Sequence, residues 1–193
     1  MELKKILAKL EGLKVRGDID LKVKNIASDS KSIKEGDMFV AIKGFDMDGE
    51  SFIMEAIENG AKVIMAQTDI DKKILKKIPK DITIVLTEDT RKALAVCACN
   101  LYSNPAKEVK LIGITGTKGK TTTSFMIKAI LEKAGKKVGL IGTIGYYIGS
   151  EKIDEGDRTT PDSLKLQKLL RKMVKERMRS YSDGSVITGS KAK

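Results

Sequence analysis

The front of the chain alternates apolar runs of strand length with segments of helical periodicity. Apolar runs of strand length lie at residues 38–42, 62–66 and 82–86. Apolar positions recur at helical spacing in residues 3–10, 50–59 and 88–102. Runs of four to eight apolar residues next to turn residues are typical of buried strands, and a period near 3.6 favours helices. The pattern predicts a small α/β domain over residues 1–105, with a lysine-rich helix or loop, broken by Pro79, between the last two strands.

Helix-end residues sharpen two of these predictions. Asn59-Gly60 closes the second helix, because glycine readily takes the left-handed conformation after a helix. Thr87 or Glu88 is expected to begin the third helix, and Ser103-Asn104-Pro105 to end it, since the residue before a proline disfavours helical geometry. We therefore predict a domain boundary within residues 103–108.

A second pattern follows this boundary. Residues 109–114 form a short apolar run, a glycine-rich segment comes next, and residues 120–134 have helical character up to Gly135. Residues 138–143 are again of strand type. The order strand, loop, helix, strand is the beginning of an α/β nucleotide-binding domain. It predicts an incomplete parallel-sheet domain of the P-loop type over residues 106–176.

The glycine-rich segment, residues 113–123, carries the strongest chemical signal. Glycines let backbone N–H groups approach phosphate oxygens, and the following helix directs its positive end at the same oxygens. Lys120 is expected to reach the β- and γ-phosphates of ATP, and Thr121 to bind Mg²⁺. The glycine spacing is GxxGxxGKT, which departs from the general GxxxxGK[ST] pattern. The candidate ATP-binding residues are Gly116, Thr117, Lys118, Gly119, Lys120, Thr121 and Thr122.

Composition excludes several other functions. Histidine is absent, which rules out a Ser-His-Asp triad and histidine metal ligands. The formal net charge is +11, but lysines are scattered and only 4% of residues are aromatic, so a nucleic-acid surface is not favoured. No apolar run approaches a membrane span, and no signal peptide is apparent. Cys97 and Cys99 do not form a CxxC motif and are expected to be small buried residues. We expect a cytoplasmic, monomeric protein that binds neither nucleic acid nor membrane.

The loop from Thr115 to Thr123 resembles the phosphate loop of the Mur ligase family, although that family more often has asparagine at the position of Lys118. Three further parts are similar to the same family. The first comprises residues 28–31, 36–42, 44 and 48–49, the second residues 89–94 and 102–105, and the third residues 142–145 together with 159–162. Arginine is commoner in the family at the position of Lys31. The resemblance covers roughly residues 20–176.

The resemblance implies an ATP-dependent ligase of peptidoglycan synthesis. Such an enzyme adds meso-diaminopimelate or L-lysine to the D-glutamate end of UDP-N-acetylmuramoyl-L-alanyl-D-glutamate, after ATP has activated the carboxylate as an acyl phosphate. ATP and Mg²⁺ would be the cofactors, residues 1–105 the uridine-nucleotide domain, and Lys120 the catalytic lysine. Ser30 would contact the uridine nucleotide, and Thr159 and Thr160 the muramoyl-peptide part.

Simpler interpretations of these substrate residues stay open. Ser30 could be a turn residue that caps a backbone amide. Thr160 could be the N-cap of a helix with Pro161 at its first position. Alternatives for the whole chain are the related ligase that adds D-alanyl-D-alanine, a folylpolyglutamate synthetase, which has a similar loop but no uridine domain, and a non-catalytic nucleotide-binding fragment.

The last stretch, residues 177–193, departs from the family. Its apolar content is low and it lacks a useful period, so we expect a disordered tail. Permitted codons exist for which a one-nucleotide shift recovers the strand, the glutamate and the Ser-Ser motif that the family would have there. The sequence thus suggests a frameshifted, truncated ligase with exposed strand edges in its second domain and no turnover of its own.

Overall fold

The computed structural model describes residues 1–43, 48–156, 160–178 and 186–190, and for residues 177–178 and 186–190 it describes the backbone alone. The chain divides into two compact units, Met1–Leu101 and Tyr102–Lys193. The first unit ends four residues before the predicted domain end at residue 105. Within the described residues, no helix is both long and apolar enough to cross a membrane.

The first unit is a five-stranded sheet with helices. Its strands are β1 Lys14–Arg16, β2 Ile26–Ala27, β3 Met38–Val40, β4 Val63–Gln67 and β5 Thr83–Thr87. Its α-helices are α1 Leu3–Ile6, α2 Ile53–Glu58, α3 Lys72–Lys77 and α4 Thr90–Leu101. The strand order is β1-β5-β4-β3-β2, and every neighbouring pair is parallel except β1 with β5. The three predicted apolar runs are the three central strands, which confirms the α/β prediction.

Three helices of the first unit have bounds that differ from the prediction. The second, predicted over residues 50–59, runs from Ile53 to Glu58 and follows a 3₁₀ turn at Gly49–Phe52. The first helix ends at Ile6 rather than residue 10, because Lys9 adopts a left-handed backbone (φ 71°) that a helix cannot continue. The third predicted helix begins at Thr90 rather than residue 88. Asp89, not Thr87 or Glu88, caps it, since its Oδ1 accepts a hydrogen bond from the Lys92 N–H at 3.0 Å.

The second unit is also α/β. Its strands are β6 Lys110–Ile114, β7 Val138–Gly142, β8 Gly145–Ile148, β9 Glu151–Asp154 and β10 Val186–Ser190. Its helices are α5 Lys120–Lys133 and α6 Ser163–Met178. The strand order is β6-β10-β7-β8-β9, with β6, β10 and β7 parallel and β8 and β9 antiparallel. A parallel β-α-β core with an antiparallel extension confirms the predicted fold class.

The expected disordered tail needs a correction. Residues 186–190 form strand β10, which pairs with β6 on one side and β7 on the other. The prediction rested on low apolar content. The backbone of Val186–Ser190 nevertheless forms hydrogen bonds with both neighbouring strands, a gain that composition alone does not show. Residues 179–185 and 191–193 lie outside the described part of the chain.

The two units differ in how far their apolar side chains are shielded from solvent. In the first unit an apolar cluster that includes Phe39, Ile53 and Ile64 is almost fully shielded from solvent. In the second unit Tyr146, Leu170 and Met173 belong to a buried cluster. The second unit also keeps large apolar side chains more than half exposed, at Leu111, Met126, Ile130 and Ile144.

Candidate functional site

The glycine-rich loop joins β6 to α5, as predicted. Gly119 directly precedes α5 and has a positive φ of 78°, and Gly116 has a φ of 152°. A left-handed backbone at these positions favours glycine because a side chain would be strained there. A Cβ built on Gly119 would meet nothing within 4 Å. The loop therefore needs glycine for its conformation, and open space remains around it.

The first turn of α5 offers backbone donors. The first bond of the helix runs from the Thr123 N–H to the Gly119 carbonyl, at 2.9 Å. No side chain of the described residues caps this end. The first N–H groups of a helix have no partner within it, so the amides of Lys120, Thr121 and Thr122 are available to an anion. The helix dipole adds partial positive charge at the same place.

Lys120 folds back over the loop. Its Nζ donates a hydrogen bond of 2.7 Å to the Gly116 carbonyl. Its ammonium group is therefore held above the segment that leads into the helix, close to the free amides. Thr117, Lys118, Gly119 and Thr122 are exposed, and Thr121 is half-buried. The structure thus brings all seven predicted ATP-binding residues, Gly116–Thr122, into one exposed, positively charged turn.

These residues fit a nucleotide with its magnesium ion. Phosphate oxygens need many donors at close range, and the loop supplies amides, the dipole and two lysines. Thr121 lies at the second position of the helix, where its hydroxyl oxygen is of the hard type that Mg²⁺ prefers. The donor set matches the sequence expectation for ATP and Mg²⁺ without any rearrangement of the fold.

The sheet places a second loop at the same edge. Because β6 and β7 are both parallel to β10, the carboxyl ends of β6 and β7 lie at one edge of the sheet. The glycine-rich loop leaves β6 there, and the turn Gly142–Gly145 leaves β7 there. A Cβ on Gly156 would come within 2.9 Å of Gly145, so the chain after β9 passes directly against this turn. The glycine-rich loop and the turn Gly142–Gly145 therefore leave the same edge of the sheet, and Gly156 lies against the turn.

The Thr-Thr-Pro segment is partly described. Thr159 lies outside the described residues, Thr160 is exposed and Pro161 is buried. Helix α6 begins at Ser163, and the Asp162 Oδ1 accepts from the Lys165 N–H at 2.8 Å. The alternative with Thr160 as N-cap and Pro161 at the first helical position is wrong by two residues, because aspartate at 162 takes that role.

Ser30 lies in the first unit, within a 3₁₀ turn at Ser30–Ser32, and is only 4% exposed. Its hydroxyl donates a hydrogen bond of 2.7 Å to the Glu55 Oε2 on α2. The amide cap of the turn is instead Asp29, whose Oδ1 accepts from the Lys31 N–H at 3.1 Å. The simple capping interpretation of Ser30 is therefore wrong, and Ser30 joins its turn to α2.

Sequence reasoning missed two residues around Ser30. Glu55 binds its hydroxyl, and the Asn59 Nδ2 donates to its carbonyl oxygen at 3.0 Å. Glu55 and Asn59 are four residues apart at the two ends of one helical turn, so they share a face. This spacing within the predicted helix 50–59 was the available signal, but the sequence does not reveal that the face meets residue 30.

The segment after β3 is anchored on both sides. The Lys43 Nζ lies 2.9 Å from the Asp69 Oδ2, and the Arg91 Nη2 donates to the Lys43 carbonyl at 3.1 Å. On the far side the Asp48 Oδ1 accepts from the Glu50 N–H at 3.1 Å. Burial, and next the charge of Asp48, raises the pKa of the Glu50 carboxyl. Residues 44–47 between the two anchors lie outside the described part.

The two cysteines lack the features of reactive thiols. Cys97 is buried, and burial raises the pKa of its thiol to about 12. Cys99 is half-buried, and burial raises the pKa of its thiol as well. Raised thiol pKa values mean little thiolate near neutrality, so neither is an activated nucleophile.

In the described residues, no group of histidine, cysteine, aspartate or glutamate is arranged to hold a metal ion.

Two family models match the chain. The model described as Mur ligase family, catalytic domain, matches residues 22–102, and the Mur ligase middle domain matches residues 114–181. Outside both matches lie only residues 1–21, 103–113 and 182–193. The first match lies in the unit Met1–Leu101 except for its last residue, and the second match lies within the unit Tyr102–Lys193.

Curated relatives are named UDP-N-acetylmuramoyl-L-alanyl-D-glutamate--2,6-diaminopimelate ligase. The Clostridium botulinum protein is 53% identical over 156 residues, which are 81% of this chain and 32% of that protein. The Clostridium tetani protein is 51% identical over 174 residues, which are 90% of this chain and 35% of that protein. The chain spans about a third of the length of these relatives.

Solved structures agree on the fold. A structure of a UDP-N-acetylmuramoyl-L-alanyl-D-glutamate--2,6-diaminopimelate ligase has a TM-score of 0.72 at 20% identity, covering 100% of this chain and 36% of that one. MurF ligase from Thermotoga maritima in complex with ADP has a TM-score of 0.50 at 27% identity, covering 89% of this chain and 32% of that one.

Proposed function

Because the chain belongs to the Mur ligase family, we propose that it carries the uridine-nucleotide unit and the ATP phosphate loop of a ligase in peptidoglycan synthesis. The reaction would join 2,6-diaminopimelate to the D-glutamate end of UDP-N-acetylmuramoyl-L-alanyl-D-glutamate. The names of the relatives favour diaminopimelate over L-lysine, and over the D-alanyl-D-alanine of the related ligase. The cytoplasmic location and the monomeric state stay predictions from the sequence.

The loop geometry carries the nucleotide part of this proposal. Left-handed Gly119, the free amides at the start of α5 and the ammonium of Lys120 form one convergent set of donors. ATP, when bound, would supply the phosphoryl group that activates the substrate carboxylate. Lys120 and the amides would neutralise charge on the phosphates, and the Thr121 hydroxyl would hold Mg²⁺. To do so, Lys120 exchanges the Gly116 carbonyl for a phosphate oxygen.

The uridine part rests on the first unit. The curated relatives, which are named for a UDP-linked substrate, match the chain across both units. A folylpolyglutamate synthetase is disfavoured because it has no uridine domain, whereas the Mur ligase family model matches residues 22–102 of the first unit. Ser30 and Thr160 are the described candidates for substrate contact, and Thr159 stays a prediction.

A nucleotide titration tests the proposal. The full chain is titrated with a fluorescent ATP analogue in the presence of Mg²⁺, and Lys120→Ala is compared with Lys133→Ala. Lys133 is exposed in the last turn of the same helix, about 20 Å along its axis. Loss of a charge-assisted hydrogen bond of about 1.5–3 kcal/mol should weaken binding about 10- to 100-fold for Lys120→Ala. Lys133→Ala should bind normally.

Two other results would count against it. If the unaltered chain shows no saturable ATP binding, the nucleotide assignment fails. If both lysine variants weaken binding equally, the effect is one of general charge, and the loop has no special role. A parallel titration with UDP separates the two halves of the proposal, because UDP binding should survive Lys120→Ala.

A further inference from the structure

Helix α3 and the turn after it carry a cluster of lysines. Five of the nine residues from 72 to 80 are lysine, and none is acidic. All five are exposed, and together they form the α3 lysine patch: Lys72, Lys73, Lys76, Lys77 and Lys80. The first unit as a whole, residues 1–101, holds 18 basic and 17 acidic residues. Without the patch the unit has an excess of acidic residues, so the patch locally reverses the charge of the rest.

The four lysines within the helix share one face. At 3.6 residues per turn they fall within an arc of about 140°, over about 8 Å of helix length. Ile74 and Leu75 lie on the opposite side of α3 and pack against the apolar cluster of the first unit. The helix is therefore amphipathic, with its apolar side in the core and its lysines in solvent.

This arrangement costs stability within the chain. Lys72 repels Lys76, because side chains four residues apart on a helix are neighbours, and Lys73 repels Lys77 in the same way. Lys72 and Lys73 also lie in the first turn, where the positive end of the helix dipole disfavours cations. None of the ion pairs among the described residues involves a lysine of the patch. Folding therefore does not explain the cluster, whereas an anionic partner would.

The acidic residues nearest in sequence already have other partners. Asp69 pairs with Lys43 at 2.9 Å, and Asp81 pairs with Lys62 at 3.5 Å. Asp71 caps α3, where its Oδ1 accepts from a backbone N–H at 2.7 Å. The positive charge of the patch is consequently left facing solvent.

We propose that the α3 lysine patch is a docking surface for a membrane rich in anionic phospholipid. Residues 68–82 contain neither arginine nor an aromatic residue, so the bidentate contacts and base stacking that nucleic-acid surfaces use are lacking there. A compact lysine cluster on an amphipathic helix fits a planar array of headgroup phosphates. Because Ile74 and Leu75 are engaged in the core, the contact is electrostatic and α3 does not insert.

This inference is independent of the nucleotide proposal. It goes against the sequence expectation of no membrane contact, which considered apolar spans and not clusters of charge. The ATP titration should therefore give the same affinity when the patch is altered, and vesicle binding should survive Lys120→Ala.

Vesicle co-sedimentation of the full chain tests the proposal. One set of vesicles holds equal parts of phosphatidylglycerol and phosphatidylcholine, and the other holds phosphatidylcholine alone. Binding should require phosphatidylglycerol. It should be lost when salt is raised from about 0.1 M to about 1 M, because the screening length falls from about 10 Å to about 3 Å.

Two variants with the same net charge separate the patch from general charge. In the patch variant the four helix lysines become glutamine, which has a similar helix propensity. In the control variant four exposed lysines from separate segments of the first unit become glutamine, namely Lys14, Lys22, Lys34 and Lys92. Each lysine near an anionic surface contributes about fivefold in affinity, so the patch variant should bind vesicles about 100-fold more weakly or less still. The control variant should stay within about threefold of the unaltered chain.

Two further variants guard against a folding defect. Lys72→Gln with Lys73→Gln changes only the first turn and should weaken binding about 20-fold. Arginine at all four helix positions keeps the charge and should keep vesicle binding. The melting temperature of each variant, measured alongside, shows that the first unit stays folded.

Three results would overturn the proposal. The first is that the unaltered chain does not bind phosphatidylglycerol vesicles at low salt. The second is that the patch and control variants lose binding equally, which would reduce the effect to net charge. The third is that a labelled single-stranded oligonucleotide binds through the patch while vesicles do not, which would assign the patch to nucleic acid.

Discussion

Replacement of Gly119 by alanine isolates the contribution of the loop conformation. Gly119 and Gly135 flank the same helix, with φ of 78° and 75°, and a Cβ would meet nothing within 4 Å at either position. Neither substitution therefore causes a clash, and each costs only the strain of a left-handed alanine, about 1–2 kcal/mol. Gly135→Ala should lower the stability of the second unit by this amount, whereas Gly119→Ala should lower it by less if its loop relaxes out of the left-handed conformation.

Only one of the pair should affect the nucleotide. At residue 119 the left-handed backbone sets the direction of the amides that we propose bind the phosphates, whereas Gly135 lies beyond the other end of α5. If the variant loop relaxes, ATP must restore its geometry, so affinity should fall about 5- to 30-fold, which corresponds to the same 1–2 kcal/mol. Gly135→Ala should bind ATP normally.

The assays are thermal unfolding and titration with a fluorescent ATP analogue. A smaller loss of stability in Gly119→Ala than in Gly135→Ala, together with loss of ATP binding in Gly119→Ala alone, supports the reasoning. Normal ATP binding by Gly119→Ala would refute it, since the left-handed residue would then not shape the site. Equal loss of binding in both variants would assign the effect to general destabilisation.

Further predictions concern stability and reactivity. Asn100 donates to the carbonyls of Ile6 and Ala8 at 2.9 and 2.7 Å, so Asn100→Ala should lower the protection of α1 amides in hydrogen exchange by about 1–3 kcal/mol; unchanged protection would mean that water replaces these bonds at no cost. Glu50 has a folded-state pKa above its unfolded one, so its charged form destabilises the fold, and this penalty disappears as pH falls through that range. Glu50→Gln should therefore raise the melting temperature more at about pH 7 than at about pH 4.5, and an equal gain at both would contradict the assigned cause. At about pH 8, a thiol reagent should label half-buried Cys99 well before buried Cys97, whose pKa is about 12, as peptide mapping would show; the reverse order would contradict the burial of Cys97.

Local patterns predicted the parts of the fold that depend on neighbours in sequence. The apolar runs identified β3, β4 and β5, and the Gly-Lys-Thr turn identified the loop between β6 and α5. Those features depend on hydrophobic period and glycine geometry, which residue order encodes directly. The seven loop residues consequently lie together as expected.

Partners distant in sequence could not be predicted in the same way. Ser30 meets Glu55 across 25 residues, and nothing in either local pattern specifies that the two side chains face each other. Strand β10 is a similar case, because its pairing with β6 and β7 satisfies backbone groups irrespective of side-chain composition. Helix starts were misplaced by two residues where a nearby aspartate, Asp89 or Asp162, outcompeted the expected cap.

The central claim is that residues 116–122 form a nucleotide phosphate site. Backbone amide chemical shifts of the labelled chain, recorded during titration with ATP and Mg²⁺, test it directly. The largest changes should fall on the amides from Gly116 to Thr122, and in Lys120→Ala the same changes should need about 10- to 100-fold more ATP. Changes centred elsewhere in the chain, or none at saturating ATP, would show that this loop does not hold the nucleotide.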